Sequence, residues 1–434
     1  MSDFNSSATF VTASSLATFT SARSTYSGPA MRIETIREDE PPEPGLSAPL
    51  RELYGDYYST LHKREIIQPF DKELNWSGKG QHVTFSATDV IPLSHMSHLG
   101  SSMSASVDKV LCRRVALARK TMRCNSRWTV ADALQEVSHL QKLRHFHIVQ
   151  LVGTYLQGRS FSILMYPAAD THLGRFLEDT QDMDLRTSMR RRSFLTSTLG
   201  CLTSAVAFIH KHTTKHMDIK PQNILVREES SSGPWSIWRV YVADFGYSRS
   251  FASEDHSQTD GPTPLTPRYC APEVCNYERR GRSADIFSLG CVFLEILSTI
   301  CCRDLEALRR RRWAGGSDDW ARRYFCRPSG GLKGSGYEVA DDDVLKVVTE
   351  LVISMVAQEP EKRPTAAEIL NCLKSEQASA SNLAEVISED NVLFRSRPLA
   401  FSLMSCCDNP QEPYEAYQPP SSNTPGGFMH TSFR

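Results

Sequence analysis

The stretch His216-Met217-Asp218-Ile219-Lys220-Pro221-Gln222-Asn223 decides how this chain is read. It follows Ser193 to His210, where Leu195, Leu199, Leu202, Val206 and Ile209 recur at helical spacing, and it precedes the apolar run Ile224-Leu225-Val226. A short polar loop between a helix and a strand therefore carries a carboxylate, an amine and an amide. That set suits phosphoryl transfer. The carboxylate orients a hydroxyl nucleophile, the ammonium meets phosphate charge, and the amide oxygen coordinates Mg²⁺. The plainer meaning is a polar turn held by Asx hydrogen bonds.

Downstream, Val240-Tyr241-Val242-Ala243 reads as a strand ending in Asp244-Phe245-Gly246, which presents a carboxylate as a metal ligand. Alone, that tripeptide marks only a strand and a turn. Ala271-Pro272-Glu273 comes next, then Ser283 to Ile300, an almost wholly apolar helix. Upstream, Val107 to Cys112, Arg114 to Met122, Val149 to Tyr155 and Phe161 to Met165 read as strands. Thr129 caps a helix whose apolar face is Val130, Ala133, Leu134, Val137 and Leu140. Strands first and helices later imply an α+β fold, a small sheet-rich lobe joined to a larger helical one. A ligand is expected in the cleft between them.

With these motifs in this order, the chain resembles the eukaryotic protein kinase superfamily, serine/threonine type, from about residue 95 to 375. The resemblance implies a two-lobed fold, with an N-lobe over 95–167 and a C-lobe over 168–375. It implies ATP and Mg²⁺ as cofactors, protein substrates, and Asp218 as catalytic base. Lys220 would neutralise γ-phosphate charge, while Asn223 and Asp244 would bind the metal. In Val115-Ala116-Leu117-Ala118-Arg119-Lys120, Lys120 would meet the α- and β-phosphates and pair with Glu136. The plainer reading of that pair is a surface ion pair. Leu99, Gly100, Val107, Ala118 and Leu225 would surround the nucleotide, with Met165 behind it and backbone groups of Tyr166 and Ala168 facing adenine. Ordinary core packing is the alternative for the apolar members of that set. Thr266 would bridge the catalytic loop and the substrate platform, Glu273 and Arg363 would form a buried ion pair, and Asp285 would brace the catalytic loop.

The chain departs from the pattern at three places. In Gly100-Ser101-Ser102-Met103-Ser104-Ala105-Ser106-Val107, Ser102 and Ala105 stand where the phosphate-covering loop has its second and third glycines. Glycine there lets backbone approach phosphate with no Cβ in the way. Met217 replaces the usual arginine beside the catalytic aspartate. That removes a charge which a phosphate on the activation segment would otherwise satisfy, so activation should not require phosphorylation at Ser257, Thr259, Thr263 or Thr266. Residues 303–338, rich in Gly and charge, read as a flexible insertion.

Retained charged chemistry favours an enzyme. The rival is a kinase-shaped interaction scaffold that binds ATP weakly or not at all, favoured by the altered loop. A small-molecule kinase is disfavoured by Ala271-Pro272-Glu273, which belongs to a protein-substrate platform.

The rest of the chain sets bounds. Net charge is -1, from 49 basic and 50 acidic residues in 434, which points to neither nucleic acid nor an anionic membrane as partner. The basic runs Arg190–Arg192 and Arg309–Arg312 read as solvated helix faces. The 12 cysteines form no CxxC pair, so neither a zinc site nor a disulfide framework is expected. With no signal peptide at the start, the expected place is the cytoplasm, with the nucleus as a second compartment. His139, His145 and His147 invite a metal reading, but helix-to-strand packing explains them better. Residues 1–46 and most of 376–434 read as disordered tails that could dock partners, and 47–94 as an extension before the N-lobe.

Overall fold

The computed structural model describes residues 73–102, 105–124, 129–230, 237–251, 266–313 and 343–387, together with Tyr57, Thr60, Leu61, Arg64, Ile66 and Ile67. The chain divides into two compact units. Among the described residues, one holds those up to Val137 and Leu151–Ala168, the other Ser138–Gln150 and those from Ala169 to Ile387. The architecture is α+β, with a sheet-rich N-terminal portion and a helical C-terminal one.

The first unit is a six-stranded sheet. Its strands are β1 (His82–Phe85), β2 (Ser94–Ser101), β3 (Ala105–Cys112), β4 (Val115–Arg123), β5 (Gln150–Gln157) and β6 (Ser160–Tyr166), in the order β1-β5-β6-β4-β3-β2. Helix α1 (Val130–Lys142) follows β4, its first turn closed by Thr129 and Asp132, each accepting from the other's amide. One face of the sheet buries Trp76, Val83, Phe85, Val110, Cys112, Leu117, Val152, Tyr155 and Leu164.

Part of that core comes from residues read in the sequence as an extension. Strand β1 pairs parallel with β5, His82 opposite Thr154, and Trp76 is fully buried beside it. The Trp76 indole donates to Gln81 O at 2.8 Å, and its ring lies 5.8 Å from that of Tyr155. Gly153 makes room for it, since a Cβ there would sit 2.3 Å from both Gln81 O and Trp76 Nε1. A four-residue strand with no alternating pattern offers little period to read.

In the second unit, β7 (Thr171–His172) leads into α2 (Leu173–Asp182). Helix α3 (Leu185–Lys211) begins at Leu185 rather than Ser193, because the Asp184 carboxylate caps it by accepting from Thr187 N at 3.1 Å. Then come β8 (Thr214–Lys215), β9 (Ile224–Ser230), β10 (Ile237–Val242) and β11 (Arg249–Ser250). Helices α4 (Pro272–Cys275), α5 (Ser283–Ile300), α6 (Leu305–Trp313), α7 (Asp343–Met355) and α8 (Ala366–Ile387) complete it. Helix α5 is buried nearly all round. Its Gly290 packs so closely on the end of α7 that an added Cβ would lie 2.8 Å from Met355 Cβ.

Three expectations need correction. The segment that begins at 303 opens as helix α6, with Leu305 and Leu308 buried, because its apolar positions close over α5; residues 314–342 lie outside the described ones. Helix α8 continues past 375 to Ile387, so the tail read as disordered from 376 opens as helix; residues 388–434 lie outside the described ones. The basic runs are not wholly solvated. Arg192 is buried, hydrogen-bonded to Ser188 Oγ at 2.9 Å and to the Thr299 carbonyl, and Arg309 is buried between acidic partners.

Candidate active site

The loop from His216 to Asn223 is suspended between β8 and β9 and held from beneath by one residue. Asp285, in the first turn of α5, is 1% exposed. Its carboxylate accepts from the amides of His216 and Met217, both at 2.8 Å, and from His210 Nε2 at 3.0 Å. Burial would raise its pKa, but these donors, His210 foremost, hold it below the ordinary value. The brace fixes Met217 at φ +66°, a left-handed conformation that costs about 1–2 kcal/mol for a residue with a side chain. His216 donates from Nε2 to Ala243 O at 3.1 Å and accepts on Nδ1 from Asp218 N at 3.3 Å, with its ring 4.8 Å from that of Phe245.

Asp218 then lies at the centre of a polar cluster. Its Oδ1 accepts from Thr266 Oγ1 at 2.8 Å. Its Oδ2 accepts from Lys220 Nζ at 2.6 Å and from Asn223 Nδ2 at 2.9 Å. Lys220 Nζ also reaches Thr266 Oγ1 at 3.3 Å, and Asn223 Nδ2 reaches the Asp218 carbonyl at 2.9 Å. The Asn223 carbonyl accepts from Ala243 N at 2.9 Å, which places the next residue, Asp244, beside the cluster; Asp244 is half-buried with φ +64°. With the Asn223 amide nitrogen committed to Asp218, its Oδ1 is left for a cation. With the Asp244 carboxylate it would make an oxygen-only donor set, the donor chemistry that suits Mg²⁺. Leu225, the next position along β9 from Ile224, is half-buried opposite Tyr241 of β10.

In the first unit, Lys120 Nζ lies 2.9 Å from both carboxylate oxygens of Glu136, which is 4% exposed. A pair so placed is not the screened surface pair that was its plainer reading. The strand register sets Lys120 opposite Val107, Val107 opposite Gly100, and Ala118 opposite Met165. Leu99 sits at an irregularity between His98 and Gly100. Tyr166 ends β6 and Ala168, two residues on, is buried. Ser102 closes the hairpin, its amide donating to Ala105 O at 2.7 Å; Met103 and Ser104 lie outside the described residues.

The three histidines have separate partners. His139 bonds Ser250, His145 bonds Ser204, and His147 donates to Val240 O. Among the described residues no group of three His, Cys, Asp or Glu side chains is placed to hold a metal.

The family described as protein kinase domain matches residues 93–373. The chain belongs to the protein kinase family. It is 31% identical over 192 residues to the cell division control protein 2 homolog 3 of Trypanosoma brucei brucei, covering 44% of this chain and 56% of that protein. It is 28% identical over 204 residues to the human serine/threonine-protein kinase ULK3, covering 46% and 40%. Against the serine/threonine-protein kinase ATG1 of Saccharomyces cerevisiae the figures are 29% over 197 residues, 38% and 21%. The matches span little more than half of these relatives' lengths, or less.

In this chain the Ala271-Pro272-Glu273 segment is fastened by a buried fork. Arg363 Nη1 and Nη2 meet Glu273 Oε1 and Oε2 at 2.7 and 2.8 Å, and Arg363 also donates to Ala357 O, Gln358 O and Ser283 O. Sequence reasoning gave no role to His210, Lys215, Tyr269 or Glu295. Lys215 is fully buried, its Nζ donating to Arg280 O at 3.1 Å, and burial pushes its pKa down to about 8 with Asp285 opposing. A lone lysine before the loop carries no period or spacing that announces burial.

Proposed function

We propose that the chain is a serine/threonine kinase that transfers the γ-phosphate of ATP to hydroxyl groups of protein substrates. What carries this reading is the cluster in which Asp218 is held by Lys220, Asn223 and Thr266 at 2.6 to 2.9 Å. A carboxylate so fixed presents an oxygen to a substrate hydroxyl and takes its proton as the oxygen attacks phosphorus. The bond from the γ-phosphorus to its bridging oxygen breaks, and ADP leaves. Lys220, alongside Asp218, meets the charge on the transferring group. Lys120, oriented by Glu136, would hold the α- and β-phosphates, and Val107, Ala118 and Met165 would offer apolar surface to adenine. Mg²⁺, held by Asn223 and Asp244, would supply charge neutralisation of the phosphates. Lys220 two residues after Asp218, with Thr266 bonded to both, supports aliphatic hydroxyls as acceptors. Cysteines with no CxxC pair or disulfide-framework spacing in the sequence fit a reducing compartment, and we place the reaction in the cytoplasm, with the nucleus as a second compartment.

The rival scaffold reading draws on Ser102 and Ala105 in the hairpin. Radiolabelled ATP offered with a degenerate Ser/Thr/Tyr peptide array decides between the two. Labelling on serine and threonine is expected. No labelling by the purified chain would favour the scaffold, and labelling confined to tyrosine would overturn the acceptor class.

A further inference from the structure

Glu295 lies mid-helix in α5 with no exposure, among apolar neighbours. A carboxylate there needs matching charge and a full set of donors. Its Oε2 accepts from Arg309 Nε and Nη2 at 3.2 and 3.0 Å, and its Oε1 accepts from the Tyr269 hydroxyl at 2.8 Å. Arg309 Nη1 extends to Glu178 of α2 at 2.8 Å, so one guanidinium on α6 ties three helices together. Burial alone would lower its pKa, yet Glu295 and Glu178 raise it, so the group is charged at every working pH.

The Tyr269 end of this line leads to the catalytic cluster. The Tyr269 amide donates to Thr266 O at 2.9 Å, and its carbonyl accepts from Ser288 Oγ at 2.8 Å. Thr266 Oγ1 then donates to Asp218 Oδ1 at 2.8 Å. An unbroken chain of polar contacts therefore runs from α2 and α6 through Glu295, Tyr269 and Thr266 to the Asp218 carboxylate.

We propose that Arg309 is a positioning residue for phosphotransfer: with Glu295 it fixes Tyr269, and the Thr266–Tyr269 turn then sets the hydroxyl that holds Asp218. The proposal rests on the kinase reading above. Stability alone does not explain the arrangement, because a buried ion pair can be replaced by apolar side chains of similar volume at little or no loss. What such a replacement cannot supply is an acceptor for the buried Tyr269 hydroxyl. Helix α6 also opens the segment read in the sequence as a flexible insertion, and that segment thereby takes a part in turnover.

The test uses the full chain and three variants, Tyr269→Phe, Arg309→Met and the double change Glu295→Leu with Arg309→Met. For each, kcat and KM for ATP are measured on a degenerate Ser/Thr peptide mixture, with the thermal midpoint and the amide hydrogen exchange of residues 266–271. The double variant is expected to unfold near the wild-type midpoint while kcat falls about tenfold, as does that of Tyr269→Phe, at unchanged KM for ATP. Exchange at 266–271 should rise in all three. A double variant that regains full kcat along with its midpoint would overturn the proposal, as would a Tyr269→Phe variant with unchanged kcat and exchange. If the wild type transfers no phosphate, the kinase reading fails separately. Exchange then decides the coupling, with faster exchange supporting it and unchanged exchange overturning it.

Discussion

The loop around Asp218 and the hairpin from Gly100 to Val107 are both proposed to act on phosphate, yet they are built in opposite ways. The loop is held by other elements. Asp285 of α5 holds two of its amides, Ala243 before Asp244 takes the His216 imidazole, and Thr266 bonds Asp218 itself. The hairpin is held along its strands, β2 on β3 and β3 on β4, while its turn is closed locally by Ser102, whose amide and hydroxyl both meet Ala105. Where side chains do the chemistry, the fold immobilises the backbone that aims them. Where backbone is to do it, the fold leaves the backbone to its own turn, and the size of each residue in that turn decides how near a phosphate can come.

The comparison can be tested from its strongest point downward. Asp218→Asn keeps the size of the side chain but removes the base, so turnover should fall about 10²–10⁴-fold while ATP still binds. A near-normal rate in that variant would break the account of the loop. Next in size is the fork beneath the platform. Arg363→Met leaves the Glu273 carboxylate buried without its partner and should cost about 3–5 kcal/mol in denaturant unfolding. A loss under about 1 kcal/mol, the value of a surface pair, would mean that the Ala271-Pro272-Glu273 segment is not anchored there.

In the sheet that carries the hairpin, the sensitive group is His82, hydrogen-bonded to Thr154 and pushed by burial from 6.5 down to about 4. Its folded pKa lies below the unfolded one. Stability is therefore complete above pH 6.5 and drains as pH falls toward 4, by about 3 kcal/mol in all. A His82→Gln variant should show a flatter profile over that window in unfolding followed against pH, and an unchanged slope would refute the assignment. A smaller effect is expected at the turn itself. Ser102→Gly with Ala105→Gly should tighten ATP by a few-fold at most, on the scale of about 0.5–1 kcal/mol, in a calorimetric titration. Weaker binding would show that the serine and alanine are adapted to their turn. The smallest effect of all is expected from phosphorylation. With Met217 in place of a cation, phosphatase-treated enzyme should turn over at once, and a lag abolished by prior incubation with ATP would contradict that.

The sequence made the loop legible because its chemistry is written in contiguous residue types. Asp218, Lys220 and Asn223 lie within one short string, and the structure gathers them into one cluster. Lys120 and Glu136 were legible only through the resemblance to protein kinases, one on a strand and one on the apolar-faced helix that follows. The partners that hold these groups were not legible. His210 and Tyr269 have ordinary surroundings in the sequence, and only tertiary packing brings them to Asp285 and Glu295. Arg309 was misread because a run of four arginines looks solvated, whereas helical geometry turns one of them inward over Glu295. Helix α3 was shortened because its opening turns lack the apolar face, though Asp184 marks the start.

The Trp76 packing has a consequence for what counts as an autonomous piece of this chain. The family match begins at residue 93, after β1 and Trp76 have already been laid down. A fragment cut at that point would lose the strand that pairs with β5, leaving a row of unpaired amides and carbonyls along a new edge. It would also open the slot over Gly153 and uncover Val152 and Tyr155. An exposed apolar edge of that kind pairs with copies of itself, so such a fragment should self-associate where the longer chain stays dispersed. The boundary drawn by resemblance and the boundary drawn by packing differ here, and the second governs whether the protein can be handled at all.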